Sequence, residues 1–283
     1  MKLTRECFVN AKADLHLHTT YSDGALSPYE LVKKAKAAGL EIISITDHDS
    51  VGAFDEAIEI GKEFDVEVIP GVELSATLDD LEVHILGYFF DYQDKTLLES
   101  LAVFREKRLR RAERIVDKLN RMNIPIKIES VLANAAGNSV GRPHIASVLV
   151  SEGHAESFHQ AFNKYIGNGR PAYERKEEFS PEDTARLISE AGGLSFLAHP
   201  GRAISELLLE RLIRSGLDGI EVTHPSHTPE LVRYYRGIVN EYFLIECGGS
   251  DFHGGLKGDE HLLGRIGISS ETVDIMRRRL LPN

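Results

Sequence analysis

The chain has 283 residues, 42% of them apolar and 27% charged, an ordinary globular composition with enough length for one large α/β domain. A net charge of −11 argues against a broad nucleic-acid-binding face, so long duplexes are excluded as expected partners, whereas a small phosphorylated ligand held by bound cations is not. Cys7 and Cys247 are too few for a disulfide framework, no run approaches the roughly 18 apolar residues of a membrane helix, and no secretory signal follows Met1, so a cytoplasmic protein without a membrane partner is expected.

A short strand over about 10–15 leads into Asp14-Leu15-His16-Leu17-His18, with Asp23 shortly after. Alternate strand residues share a face, so His16 and His18 can share an ion. Ser27-Pro28-Tyr29-Glu30 is a capping-box start with proline in the first turn, and Gly39 is a natural stop. The strand 42–45 follows, with Thr46-Asp47-His48-Asp49 as its C-terminal loop. A helix over 51–64 precedes a strand over 66–69, stopped by Pro70-Gly71 and followed by Glu73. His84 lies inside the apolar run 83–87. This alternation of continuous apolar strands with helices predicts a parallel sheet covered by helices.

The rhythm breaks after Phe90. A basic helix is expected over 97–120, including Arg105, Arg108, Arg111 and Arg114, either as a solvated face or as a phosphate-holding one. Helices over 145–152 and 157–165 follow. We therefore expect a helical insertion over 97–180 within a domain made of 1–96 and 181–283. Ser180-Pro181-Glu182-Asp183 starts the next helix. Strands over 194–198 and 219–222 lead into His199 and into Thr223-His224-Pro225-Ser226-His227. The last strand ends near Glu246, ahead of Asp251 and His253.

Nine residues thus form the candidate metal set: His16, His18, Asp23, His48, Glu73, His84, His199, Asp251 and His253. All but His84 fall at or past the end of an expected strand, the edge where parallel barrels build their sites. A closed barrel is favoured because residues 16 and 253 must reach one place. Mixed imidazole and carboxylate ligands suit manganese, iron or zinc, and the absence of cysteine argues against a structural zinc knot.

His16-x-His18, Asp23, Thr46-Asp47-His48, Gly71-x-Glu73, His84, Ala198-His199-Pro200 and Gly249-Ser250-Asp251-x-His253 resemble the motifs of the PHP (polymerase and histidinol phosphatase) superfamily, in order and over nearly the whole chain. Gly141-Arg142-Pro143-His144 and Gly219-Ile220-Glu221-Val222-x-His224-Pro225 resemble a branch of stand-alone phosphoesterases acting on nucleoside 3′,5′-bisphosphates, some of which trim short RNA. The resemblance implies a distorted (β/α)7 TIM-like barrel with three divalent ions. One would take His16, His18, Glu73 and Asp251. A second would take Glu73, His84 and His199, and the third Asp23, His48 and His253.

The chemistry expected of such a site is in-line attack on phosphorus by a hydroxide shared between ions. Glu73 bridges two of them and is its key catalytic carboxylate. Arg142 is a candidate phosphate clamp, because a guanidinium matches phosphate as a two-pronged donor. His224 is placed to orient phosphate or protonate the leaving oxygen, and His227 is a further substrate-binding candidate. Asp14 and Asp49 are either partners of ligating histidines or loop caps. The expected enzyme is a manganese-dependent phosphatase, with iron or zinc as alternative ions, releasing the 3′-phosphate of a nucleoside 3′,5′-bisphosphate. A 5′→3′ exonuclease on short RNA using the same site is the alternative. An amidohydrolase and a non-catalytic metal-binding module are weaker readings.

Overall fold

In the computed structural model, which describes residues 11–78, 81–176, 179–202 and 204–281, seven strands form one sheet in sequence order. Cys7 and residue 10 of the expected first strand lie outside the described residues. The strands are β1 (Ala13–Leu17), β2 (Ile42–Ile45), β3 (Glu67–Leu78), β4 (Leu81–Tyr88), β5 (Leu194–Leu197), β6 (Gly219–Thr223) and β7 (Ile245–Gly248). Just past β7, Phe252 bridges Leu17 of β1, so the sheet curls into a nearly closed barrel.

β1 to β3 run parallel, as do β5 to β7, but β4 is antiparallel to both its neighbours. The alternation of the first strands with helices predicted parallel pairing, which β1 to β3 show and β4 does not. The reversal follows from chain length: β3 ends at Leu78 and β4 begins at Leu81, while a parallel crossover needs about a dozen residues. β3 also runs straight through Pro70-Gly71, which the sequence marks as a stop. Pro70 pairs with Ile45 and its carbonyl accepts from Phe89 N–H, so the strand continues through it. Gly71 is a close-approach residue, because a Cβ there would sit 2.1 Å from Ser44 Oγ. Glu73 therefore lies inside a long strand.

Helices cover the sheet: α1 (Pro28–Ala37), α2 (Phe54–Phe64), α7 (Pro181–Glu190), α8 (Glu206–Arg214) and α9 (Pro229–Glu241). Ser27 Oγ accepts from Glu30 N–H and Glu30 Oε2 accepts from Ser27 N–H, the reciprocal cap that the sequence predicts. These helices press Leu31, Phe54, Ile188, Leu212 and Tyr235 onto the sheet. A second apolar cluster joins Leu15, Leu86, Tyr88, Phe196 and Cys247 to Val273 and Met276 of α10 (Ser270–Arg279), a helix not anticipated from the sequence.

Between β4 and α7 the chain is helical: α3 (Lys95–Arg121), α4 (Ile128–Asn134), α5 (Arg142–Ser151) and α6 (Phe158–Ala161). A π-helical turn, Phe162–Ile166, replaces the second half of the single helix expected over 157–165. This segment has its own apolar cluster, including Ile115, Leu119, Val131, Ile145, Leu149 and Ile166. The basic face of α3 is divided. Arg110 is solvated, whereas Arg108 pairs with Asp49 and donates to Ser75, and Arg111 donates to the Glu174 carbonyl. Those contacts hold α3 against the strand ends. Among the described residues, no helix is long and apolar enough to cross a membrane.

Candidate metal centre

Every strand contributes to one cluster at the same edge of the barrel. β1 carries His16, with His18 just beyond it, and β3 and β4 carry Glu73 and His84. His48 follows β2 and pairs with Glu73 through an isolated bridge, so the loop after β2 rides beside β3 and meets its middle. His199 follows β5, His224 follows β6, and Asp251 and His253 follow β7. Gly249 makes the last approach feasible, because a Cβ there would lie 2.4 Å from His16 Cβ.

Glu73 is central. Its Oε1 lies 2.5 Å from His84 Nδ1 and 2.9 Å from His199 Nε2. Its Oε2 lies 3.1 Å from His48 Nδ1 and 3.3 Å from both His16 Nε2 and His18 Nε2. Asp251 Oδ1 faces the same two histidines at 3.4 and 3.2 Å, and Asp251 Oδ2 is 3.6 Å from His224 Nε2. Asp23 is 3.4 Å from His253 Nε2 and 3.8 Å from His48 Nε2. Burial opposes ionising Glu73, yet His48, His84 and His16 hold its carboxyl well below the usual range. His199 and Asp251 have positive φ, 24° and 50°, a strained backbone of the kind that collects at functional sites.

Divalent ions fit this donor set. His16 Nε2, His18 Nε2, His48 Nδ1 and His224 Nε2 are buried without a hydrogen-bond partner. Leaving a buried polar atom unsatisfied costs about 1–3 kcal/mol, and the nitrogens of His16, His18 and His48, all facing Glu73 Oε2, match the lone pairs an ion needs. Among the described residues, four trios each have donor atoms within 4.8 Å of one another: His16–His18–Asp251, His16–Glu73–His199, His18–Asp23–His48 and His48–Glu73–His84. Shared members make them one multinuclear arrangement. The expected grouping of His253 with Asp23 and His48 is not among them. His18 stands in that trio instead.

Glu221, which sequence reasoning passed over, fixes two of these histidines. Its Oε1 accepts from His16 Nδ1–H at 2.9 Å and its Oε2 accepts from His199 N–H at 2.7 Å. The first bond places the His16 proton on Nδ1 and leaves the Nε2 lone pair facing the centre. A carboxylate within the apolar run Gly219-Ile220-Glu221-Val222 was the available signal. Asp14 accepts from Ser250 N–H and His16 N–H, and Asp49 accepts from Ser75 N–H. Both act as loop caps rather than partners of a ring nitrogen.

Beside the cluster lies a cleft of about 230 Å³ lined by Glu82, His84, Arg142, Asn168, His199 and Pro200. Arg142 Nη1 donates to Asn168 Oδ1 at 2.7 Å, and its Nη2 is 3.7 Å from Glu82. Glu82 also pairs with Lys176 and lies 3.6 Å from Arg111. Despite burial, Lys176, His84 and Arg142 hold its carboxyl far below the usual range. Burial, with help from Arg108 and Arg111, pushes the Lys176 amine down to about 8 although Glu82 opposes it. Lys176 Nζ is 3.1 Å from His84 Nε2. His144 accepts from Gly141 N–H and caps α5.

His224 Nδ1 accepts from Ser226 N–H at 3.1 Å, which puts the proton of the neutral ring on Nε2, facing Asp251. His227 departs from its expected role. Its Nδ1 donates to the Val222 carbonyl, its Nε2 accepts from Gly201 N–H, and the ring stacks on Tyr235. No ring nitrogen is left for a substrate.

Comparison with known proteins agrees with this architecture. Residues 14–167 match the PHP domain. A 5′-3′ exoribonuclease of Haemophilus influenzae is 36% identical over 86% of this chain and 90% of its own length. A 3′,5′-nucleoside bisphosphate phosphatase of Chromobacterium violaceum is 33% identical over 86% of this chain and 87% of its own. The crystal structure of a candidate metal-dependent phosphoesterase from Bifidobacterium adolescentis superposes with a TM-score of 0.90 at 32% identity, covering 97% of this chain and 98% of that one. The chain therefore belongs to the PHP domain family.

Proposed function

We propose that this protein is a metal-dependent phosphoesterase that removes a terminal phosphate from a small nucleotide, the 3′-phosphate of a nucleoside 3′,5′-bisphosphate. The observation that carries this reading is the cleft beside the cluster: His84 and His199 belong to both, and Arg142 stands on the cleft wall. A phosphate at the centre would thus leave the rest of a small molecule beside a guanidinium. The nine sequence-derived residues are the proposed ligands, with manganese as the preferred ion and iron or zinc compatible with the same donors. Bound divalent ions would supply Lewis-acid stabilisation of phosphoryl oxygens and an activated water.

The protein's own groups do the rest. Glu221 holds His16 in the tautomer that presents Nε2. Glu73 is the carboxylate shared by two of the trios and so couples their geometry. His224 presents Nε2–H beside Asp251, where it protonates the departing oxygen. Arg142, steadied by Asn168 and Glu82, binds the phosphate that does not react and so selects substrates with two.

The relative named an exoribonuclease supports a second reading, 5′→3′ hydrolysis of short RNA in the same site. The engagement of Arg108 and Arg111 within the fold weighs against an open RNA track along α3. One experiment separates the two. Metal-free protein reconstituted with manganese is given adenosine 3′,5′-bisphosphate and, separately, a short 5′-phosphorylated oligoribonucleotide. Release of phosphate and 5′-AMP from the first supports the phosphatase; RNA degradation without phosphate release would replace it with the exonuclease.

A further inference from the structure

The loop after β7 places a lysine where the resemblance expects an ion. His253 Nδ1 donates to the Asp251 carbonyl at 2.7 Å, so its Nε2 carries the lone pair. That lone pair faces Asp23 Oδ1 at 3.4 Å and also accepts from Lys257 Nζ at 2.8 Å. A divalent ion and the ammonium need the same electrons. Both cannot have them.

The approach of Lys257 is built into the loop. Gly254, Gly255 and Gly258 have φ of 77°, 100° and 70°, turning the chain back on itself. Asp259 locks the turn by accepting from His253 N–H and Gly255 N–H. Lys257 is an exposed residue overall, while its ammonium reaches the buried His253 ring. In agreement, none of the four trios found among the described residues includes His253.

We propose that Lys257 is a tethered cation for the His253–Asp23 position: it occupies that position when no ion does and must swing out for a divalent ion to bind, which makes this the weak, exchangeable position of the centre. The inference rests on the metal-dependent reading above, and goes beyond it in ranking the positions. Neutralising three clustered carboxylates without an ion is a plain electrostatic reason for such a residue. The exposure of Lys257 gives its head a route to solvent.

The test titrates metal-free protein with manganese alone, reading bound ion by electron paramagnetic resonance and by metal content after gel filtration. Wild type should fill its last position at least about tenfold more weakly than the others, since an ion must first break a charged hydrogen bond. Lys257→Met should remove that gap, and Lys257→Arg should keep it. Thermal unfolding verifies that each variant folds, with Lys257→Gln replacing Lys257→Met if that one does not. Equal affinities in wild type, or an unchanged gap in the uncharged variant, overturn the proposal while sparing the metal-dependent reading. Failure of the wild type to bind manganese, iron or zinc at all overturns both.

Discussion

Replacing Glu221 by glutamine tests the logic of the centre with almost no change of shape. The wild-type carboxylate is fully buried and accepts through both oxygens, from His16 Nδ1–H at 2.9 Å and from His199 N–H at 2.7 Å. Glutamine has one acceptor oxygen, so one of the two donors must face an NH2 group instead. Losing a hydrogen bond to a charged group costs about 1.5–3 kcal/mol. At about 1.4 kcal/mol per decade, that corresponds to roughly a 10–100-fold loss of affinity, the range observed when outer partners of metal-binding histidines are removed. Glu221→Gln should therefore lower manganese affinity, measured by competition with a chelator, by about 10–100-fold, and kcat/KM in parallel. Circular dichroism should be unchanged. A folded variant whose metal affinity and kcat/KM stay within about twofold of wild type would refute the claim that Glu221 orients His16 and His199 for an ion.

Four other outcomes are expected. Glu73→Ala removes the carboxylate common to two trios and should abolish both activity and retention of a full metal complement on gel filtration. Arg142→Ala should raise KM for a bisphosphate by about tenfold or more while affecting a nucleoside monophosphate much less, and Arg142→Lys should restore only part of the loss, because lysine lacks the two-pronged geometry. Chelation should lower the thermal midpoint as well as stop turnover, since buried Asp23 and Glu73 and half-buried Asp251 then repel one another; a midpoint indifferent to chelator would contradict the ion-binding role of the cluster. Lys176, with its amine near 8, is the group expected to shape the alkaline limb. It is charged below that pH and neutral above it, so attraction for the phosphate dianion weakens and KM rises as pH passes about 8. Lys176→Arg, which stays charged, should flatten the rise; an identical pH profile in that variant would exclude Lys176 as its source.

Much of this architecture was legible locally. Ser27 and Glu30 encode a reciprocal cap within four residues, and the strands at 42–45, 194–197 and 219–222 are short apolar runs that need both faces covered. The nine histidines and carboxylates stand out because such residues rarely punctuate strand ends without purpose. Their chemistry travels with the residue type and needs no coordinates. What depended on distance was not legible. The hairpin of β3 and β4 hid behind Pro70-Gly71, whose meaning is set by Ser44 and Ile45 on another strand.

The element pattern and the kind of ligands are therefore local matters, because periodicity and donor chemistry are properties of neighbouring residues. The tertiary structure alone decided how those ligands are partnered. His227 is withdrawn from the centre by Val222, Gly201 and Tyr235, while Glu221 is drawn in by His16, 205 positions away. Arg108 and Arg111 look like a basic surface in one dimension and become clamps on Asp49 and Glu174 in three. A side chain's role here is fixed by which lone pairs and charges the fold sets against it, and those contacts span from 5 to 205 positions along the chain.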